Sequence, residues 1–391
     1  MTRSRRLRFV SRKCWLFFAA VAVSTLFAAE AHAHKPSDSY LTLEVGEPTL
    51  TARWDLAVKD LEFLIGIDID RDGQVTWAEL QARQDDIAAL ALSRLDVVVD
   101  GEEANWSVAA LQVVEHSDGF YAVLRLEADR PGDADEITVT YDLLFDADPT
   151  HRGLLVFRGG AMDQTHILSP DAPSAEFRPG PGGTNSAWRV FKEFLIEGVW
   201  HIWIGLDHIL FLLALLLPAV WLRQDKKWEP VESVKPALWA VLKIVTMFTL
   251  AHSITLWLAV TEVVSLPSRA IEATIAASIV VTALNNFFPQ KWLKGWMIAV
   301  GFGLIHGFGF ANVLVDLGLR DTALAVSLFA FNVGVELGQM AIVLAFFPAA
   351  FALRKTDFYR WGVFTAGSAA IGLLALLWFI ERAWNLTIVG F

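Results

Sequence analysis

Residues 201–208, His-Ile-Trp-Ile-Gly-Leu-Asp-His, place two imidazoles and a carboxylate inside a run, 194–222, that is otherwise almost wholly apolar. A bilayer core of ~30 Å needs about 20 helical residues, so this run is long enough to span one. On a helix turning ~100° per residue, Glu197, His201 and His208 fall within about 40° of one another, with Asp207 about a quarter-turn aside. An ionisable group at membrane depth costs roughly 2.5–3.5 kcal/mol on insertion scales, and such groups are seldom idle. A polar cluster that merely packs helices is the plain alternative. The sharper reading is an ion site.

Later apolar runs carry more of the same chemistry. His252 lies near the middle of one, in Thr249-Leu-Ala-His252-Ser253-Ile-Thr255, and Glu272 opens the next, which ends in Asn285-Asn286. His306 sits among glycines, where Gly303 and Gly307 form a small-xxx-small pair that lets another helix approach closely. Asn332, Glu336 and Gln339 stand at i, i+4 and i+7, hence on one stripe. Any one of these reads equally well as interhelical glue. Four membrane histidines with several carboxylates can together hold a partly dehydrated divalent ion, and weak ligation suits an ion that must also leave. The only cysteine, Cys14, lies near the N-terminus. Nitrogen and oxygen ligands remain, which suit nickel, cobalt, zinc, manganese or copper(II).

The elements that must position these groups follow from composition. The chain has 391 residues, 54% of them hydrophobic, and a net charge of −11. Residues 34–190 hold 12 Lys+Arg against 29 Asp+Glu, and the rest holds 20 against 14. An acidic soluble half argues for cations and against nucleic acid, and the basic remainder suits a membrane half. Six spans are expected, at 194–222, 237–264, 269–288, 293–316, 322–353 and 361–381. Loops after the first, third and fifth carry Arg223, Lys226, Lys227 and Lys235, then Lys291 and Lys294, then Arg354, Lys355 and Arg360. Loops after the second and fourth hold Arg269 and Arg320. The positive-inside rule then puts the N-terminal domain and the short tail, 385–391, outside a bacterial inner membrane.

Residues 1–33 read as a signal peptide, with a basic start, an apolar core and an Ala31-His32-Ala33 cleavage site. Residues 34–168 read as an extracytoplasmic β-rich domain. Period-two runs at 40–45, 50–58, 95–99, 121–126, 137–144 and 153–157, separated by turn residues, fit a small antiparallel sandwich. His116, His151 and His166 lack metal-ligand spacing. Residues 169–193, rich at first in Pro, Gly and Ser, read as a linker. Within the domain, residues 68–79 match an EF-hand calcium loop position by position. Asp68, Asp70 and Asp72 supply carboxylates, Gln74 a carbonyl, Thr76 a water-mediated contact and Glu79 a bidentate carboxylate, with Gly73 at the sharp turn. The expected fold is a six-span α-helical bundle behind a β-rich, sandwich-like extracytoplasmic domain with an inserted EF-hand-like loop.

These residues carry a resemblance. His201-x5-Asp207-His208 resembles the His-x5-Asp-His motif of the HupE/UreJ family of nickel permeases. The runs 248–256 (FTLAHSITL), 303–311 (GLIHGFGFA) and 331–338 (FNVGVELG) resemble its larger members, which carry an extracytoplasmic domain ahead of the membrane region. The resemblance covers roughly 194–384. It implies a secondary, ATP-independent permease for a divalent metal, nickel first among them, rather than an enzyme, with His201, Asp207, His208 and His306 as residues to test. The smaller members have two His-Gly pairs followed by Glu. Here only His306-Gly307 is present, and Gly309-Phe310 stands at the second pair. Glu197 and Glu272 would gather metal at the outer mouth, and His252 and Glu336 would complete the site. Two rivals stay open: a haem-binding membrane oxidoreductase using paired histidines, and a non-transporting assembly factor whose acidic domain docks an extracytoplasmic protein partner.

Overall fold

The computed structural model describes residues 38–46, 49–116, 119–129, 135–159, 164–178, 187–224, 227–261, 263–264, 266–290, 293–309, 321–384 and 386. The expected signal peptide, nearly all of the tail and the loop containing Arg320 lie outside the described residues.

Alternation builds the β-rich part. In β1 (Asp38–Val45) Ser39, Leu41 and Leu43 point inward, and in β2 (Thr49–Ala57) Leu50, Ala52 and Trp54 do so. The two pair antiparallel, Tyr40 opposite Asp55. With β5 (Ser107–His116), β6 (Gly119–Asp129), β8 (Arg152–Arg158) and β9 (Gln164–Leu168) they form a six-stranded sheet in the order β5-β6-β2-β1-β8-β9. A four-stranded sheet follows the order β10-β7-β3-β4, from β3 (Leu95–Val99), β4 (Glu102–Glu103), β7 (Ile137–Tyr141) and β10 (Ser174–Phe177). Leu41, Leu43, Trp54 and Phe157 of the first sheet share a core with Val97, Val139, Tyr141 and Phe177 of the second. A sandwich is thus present, but not a purely antiparallel one, because β1 and β8 run parallel. The expected linker is also shorter than 169–193: β10 pairs with β7, and a helix begins at Ala187.

The EF-hand-like loop interrupts the sandwich between α1 (Val58–Ile65) and α2 (Trp77–Ala82). Past α2 the helix breaks at Arg83, beyond which α3 (Gln84–Leu92) begins. Arg83 turns its guanidinium back to the carbonyls of Ile65 and Gly66, at 2.6 and 3.1 Å, and so ties α2 to the end of α1.

The C-terminal half is helical: α4 (Ala187–Ile204), α5 (Leu206–Leu216), α6 (Val234–Val260), α7 (Ser268–Phe287), α8 (Gly295–His306), α9 (Asp321–Leu353) and α10 (Phe358–Trp384). A hairpin, β11 (Trp221–Gln224) with β12 (Lys227–Pro230), joins α5 to α6. Among the described residues α6, α7, α9 and α10 are each long and apolar enough to cross a bilayer, and α4 with α5 makes up to five. Large apolar side chains such as Trp239, Phe329, Leu344 and Leu373 face outward, as on helices solvated by lipid. The chain is membrane-embedded. Six spans are not all accounted for: α8 has 12 residues, and the end of the fourth expected span falls outside the described residues.

Glycines let these helices touch backbone to backbone. A methyl group on Gly198 or Gly334 would overlap the facing backbone of α9 or α4 respectively. On Gly303 it would lie 2.5 Å from the Phe248 carbonyl, and on Gly307 it would strike Thr255, so the glycine pair does seat α8 against α6. The sandwich packs directly on the bundle. Leu154 and Val156, on the outer face of β8, share a core with Val190 and Phe194 of α4.

Candidate metal centre

The run 194–222 is two helices. Gly205 is extended (φ −68°, ψ 95°), and α4 and α5 meet there at a bend of 70°. A single helical wheel across 197–208 therefore does not describe the site. His201, on the last turn of α4, and His208, on the first turn of α5, meet across the break with ring centroids 4.6 Å apart. A Cβ on residue 205 would lie 2.6 Å from His208 Nδ1 and 2.8 Å from the His201 carbonyl, so the bend requires glycine. Asp207 occupies the first turn of α5, where the helix dipole favours a carboxylate, and its Oδ1 accepts the His208 backbone N–H at 2.9 Å.

Two further helices complete the cluster. His306, the last residue of α8, brings its ring to 4.5 Å from that of His208 and its Nε2 to 3.5 Å from Asp207 Oδ2. His252 of α6 lies 6.1 Å from His201, ring to ring. Asp207, His208 and His306 offer ligand atoms that all lie within 4.8 Å of one another. The Nε2 atoms of His208, His252 and His306 are buried and make no hydrogen bond. A buried imidazole nitrogen without a partner is costly, and Asp207, His208 and His306 together form a donor set of the kind that can hold a metal ion.

A cavity of about 340 Å³ leads to this cluster from the β-domain side. Asp38, Thr150 and Arg152 line its mouth, Glu197 and Glu272 its walls, and His201, Asp207, His208 and His306 its end. Neither glutamate ligates the cluster. Arg152 of β8 donates from Nε to Glu197 Oε1 at 3.2 Å, and Arg382 Nε lies 3.6 Å from Glu272 Oε2. Both arginines escaped sequence reasoning, because pairings over 45 and 110 residues leave no local signal. The α9 stripe is divided likewise. Asn332 Oδ1 accepts from His252 Nδ1 at 3.1 Å, whereas Glu336 accepts from Thr246 at 2.8 Å and Gln339 from Thr249 at 3.5 Å. Asn286 donates to the Ala214 carbonyl and to Ser368, tying α7 to α5 and α10.

Size alone does not choose this site. A cleft of about 470 Å³ lies on the outer face of the six-stranded sheet, beside Tyr40, Asp55, His116, Arg53 and Arg158. Its charges pair with one another: Arg53 and His116 with Asp55, Arg158 with Glu44. Burial works against ionising Asp55, yet hydrogen bonds from His116 and Arg53 hold its pKa below the ordinary value.

A family model described as HupE / UreJ protein matches residues 182–382, just over half of the chain. The chain belongs to the HupE / UreJ family. No curated protein matches it. The matched stretch runs from just before α4 almost to the end of α10, so every histidine and carboxylate of the cluster lies within the HupE / UreJ region, and the sandwich lies outside it.

Ahead of the HupE / UreJ region, the 68–79 loop folds back on itself through hydrogen bonds to its own carboxylates. Gly73 adopts φ +83°, the left-handed turn for which glycine is suited. Asp68 accepts from the N–H groups of Arg71 and Gly73, Asp70 from that of Asp72, and Asp72 from that of Gln74. Glu79 turns back over the loop, accepting from Thr76 at 2.8 Å and Ile69 at 2.8 Å. The Thr76 N–H, its hydroxyl and the Ile69 N–H lower the Glu79 pKa to about 2. Asp70 goes the other way: the Asp72 N–H lowers its pKa, but desolvation and the charges of Asp72, Glu79 and Asp68 leave it raised. Asp68, Asp70 and Glu79 offer oxygens within 4.8 Å of one another, an all-oxygen set that fits a hard cation such as calcium.

Proposed function

We propose that this protein is a secondary, ATP-independent permease that carries a divalent transition metal, with nickel the expected substrate. The observation that carries the reading is the convergence of two buried imidazoles, His208 and His306, on the Asp207 carboxylate at the end of a cavity. Imidazole with carboxylate suits nickel, cobalt, zinc or copper(II). Family membership favours nickel among them. A discontinuous helix supplies the site, as in other permeases whose ion sites lie at interrupted spans. Metal enters between Glu197 and Glu272, is held by Asp207, His208 and His306, and is flanked by His201 and His252.

The β-rich domain faces the periplasm on this reading, and the membrane is the bacterial inner membrane. Lys235, Lys294, Arg354, Lys355 and Arg360 cluster at helix ends remote from the sandwich, which the positive-inside rule assigns to the cytoplasm. Calcium fills the 68–79 loop and braces the sandwich.

Cellular metal content, read by mass spectrometry across a divalent panel, tests the permease. Cells expressing the wild type should accumulate one metal, and cells with equal membrane amounts of His208→Ala should lose most of that gain, about ten-fold or more. Equal metal contents would remove transport, and the purified protein would then be examined for the Soret band of haem.

A further inference from the structure

A path for cations has no evident use for guanidinium groups, yet the metal cavity is lined by two, Arg152 of β8 and Arg382 of α10. A fixed positive charge repels an entering metal ion unless a carboxylate neutralises it. Each arginine has such a carboxylate, and each is a glutamate of the same cavity: Glu197 on α4 and Glu272 on α7. The side chains of the first pair are only 11% and 20% exposed, so salt and water screen it little.

The contacts are of an exchangeable kind. Arg152 reaches Glu197 through one bond, Nε to Oε1 at 3.2 Å, and Arg382 Nε stays 3.6 Å from Glu272 Oε2. A clamping pair is shorter and bidentate, with two parallel N–H···O bonds. Arg152 also has an anchor of its own, because Nη1 donates to the carbonyls of Pro149 and His151, at 3.1 and 2.9 Å. Glu197 can therefore turn away while the guanidinium stays on the β-domain. Arg269 steadies the end of α10 by donating to the carbonyls of Arg382 and Ala383, at 3.1 and 2.6 Å. His201 stands one turn beyond Glu197 on α4, about 6 Å along the axis, and lines the same cavity. A cation taken up by Glu197 thus has an imidazole at its next step.

We infer that Arg152 and Arg382 are admission residues for the metal: each guanidinium occupies a carboxylate that the entering cation needs, and metal enters by displacing arginine from glutamate. This deepens the permease reading and rests on it. At equal distance a divalent ion attracts a carboxylate about twice as strongly as a guanidinium does, and a monovalent ion does no better than the guanidinium. The exchange thus favours divalent ions over sodium or potassium. Arg152 lies outside the HupE / UreJ match, so the β-domain takes part in admission through a residue of its own.

The test is nickel chloride entry into proteoliposomes holding the full chain, with KM and maximal rate read separately. A pair that only clamps the sandwich to the bundle responds alike to loss of either partner. Displacement predicts opposite signs. Arg152→Gln, whose amide can still donate to the carbonyls, should lower KM about three-fold or more with the maximal rate within about two-fold, and Glu197→Gln should raise KM by a similar factor. The double variant should have the KM of E197Q, because Arg152 acts only through that carboxylate. KM shifts of the same sign in the two single variants, or no shift in R152Q, overturn the admission role. So does a fall in KM that R152Q still produces in the E197Q background, which would be repulsion at a distance. If R152Q does not fold, the same cycle with Arg382→Gln and Glu272→Gln decides. A wild type that carries no metal of the divalent panel overturns the permease reading and the admission role with it, whereas the other adverse results overturn the admission role alone.

Discussion

Each imidazole has two ring nitrogens, and the partner of one decides what the other can do. His306 Nδ1 lies 3.3 Å from the Phe302 carbonyl, which can only accept, so Nδ1 carries the proton and Nε2 keeps its lone pair. His208 Nδ1 lies 3.0 Å from Asp207 Oδ1, with the same consequence. His252 depends on Asn332. The Asn332 amide nitrogen is committed to the Leu328 carbonyl at 2.8 Å, which turns Oδ1 toward His252 Nδ1 and again leaves Nε2 with its lone pair. Such outer partners typically contribute about 10- to 100-fold to metal affinity. Asn332→Ala should therefore weaken nickel binding to the purified protein about ten-fold, as read by calorimetry. Unchanged affinity in the folded variant would leave Asn332 as interhelical glue. The sequence offered Asn332 only as one polar position in a stripe; its role appears once the residue it faces is known.

At the level of elements, the break at Gly205 makes the site. Were α4 and α5 one straight helix, Asp207 would project to the side and the His201–His208 pair would gain nothing from a carboxylate on the opposing turn. The break was not legible beforehand, because a lone glycine in an apolar run is common in spanning helices. The pairing of His201 with His208 was legible, but for a geometric reason that does not hold in the bent chain. The Gly303/Gly307 contact was readable because it depends only on spacing along one helix. Gly205→Ala pits two effects against each other. Alanine favours continuous helix by about 1 kcal/mol over glycine, while its Cβ would press on His208 Nδ1. The expected variant is at least as helical as the wild type, yet takes up metal about ten-fold less well, since a displaced ligand costs affinity on that scale. Circular dichroism with an uptake assay on the same preparation checks both halves, and full uptake would show that the site tolerates a straighter span.

Across the whole molecule, what could be read in advance was local in sequence. Strand alternation, the apolar runs and the 68–79 loop all depend on spacings of a few residues. The seating of the sandwich on the bundle depends on β8, whose run from Arg152 to Phe157 is buried on both faces. That unbroken burial is itself a signal, since a strand with one wet face would alternate. The Arg152–Glu197 pair at the cavity mouth had no such signal. One route from the loop to the bundle runs through this seating: α1, which enters the loop, carries buried Asp60 at 4.0 Å from His151, the neighbour of Arg152. Two extremes then bracket what calcium does. A loop that only braces the sandwich raises its unfolding temperature and leaves metal flux unchanged. A loop that gates shifts both. For a single extracytoplasmic hand with Kd near ~10⁻⁴–10⁻³ M, 10 mM calcium should stabilise the sandwich by about 1.4–2.7 kcal/mol. The expected result is a higher unfolding temperature in calcium than in chelator, absent from Asp68→Ala, with nickel flux equal in both conditions. No calcium shift in the wild type would remove the loop as a calcium site. A shift that persists in Asp68→Ala would place the ion elsewhere, and a parallel change in flux would make the β8–α4 seating a route by which one cation controls another.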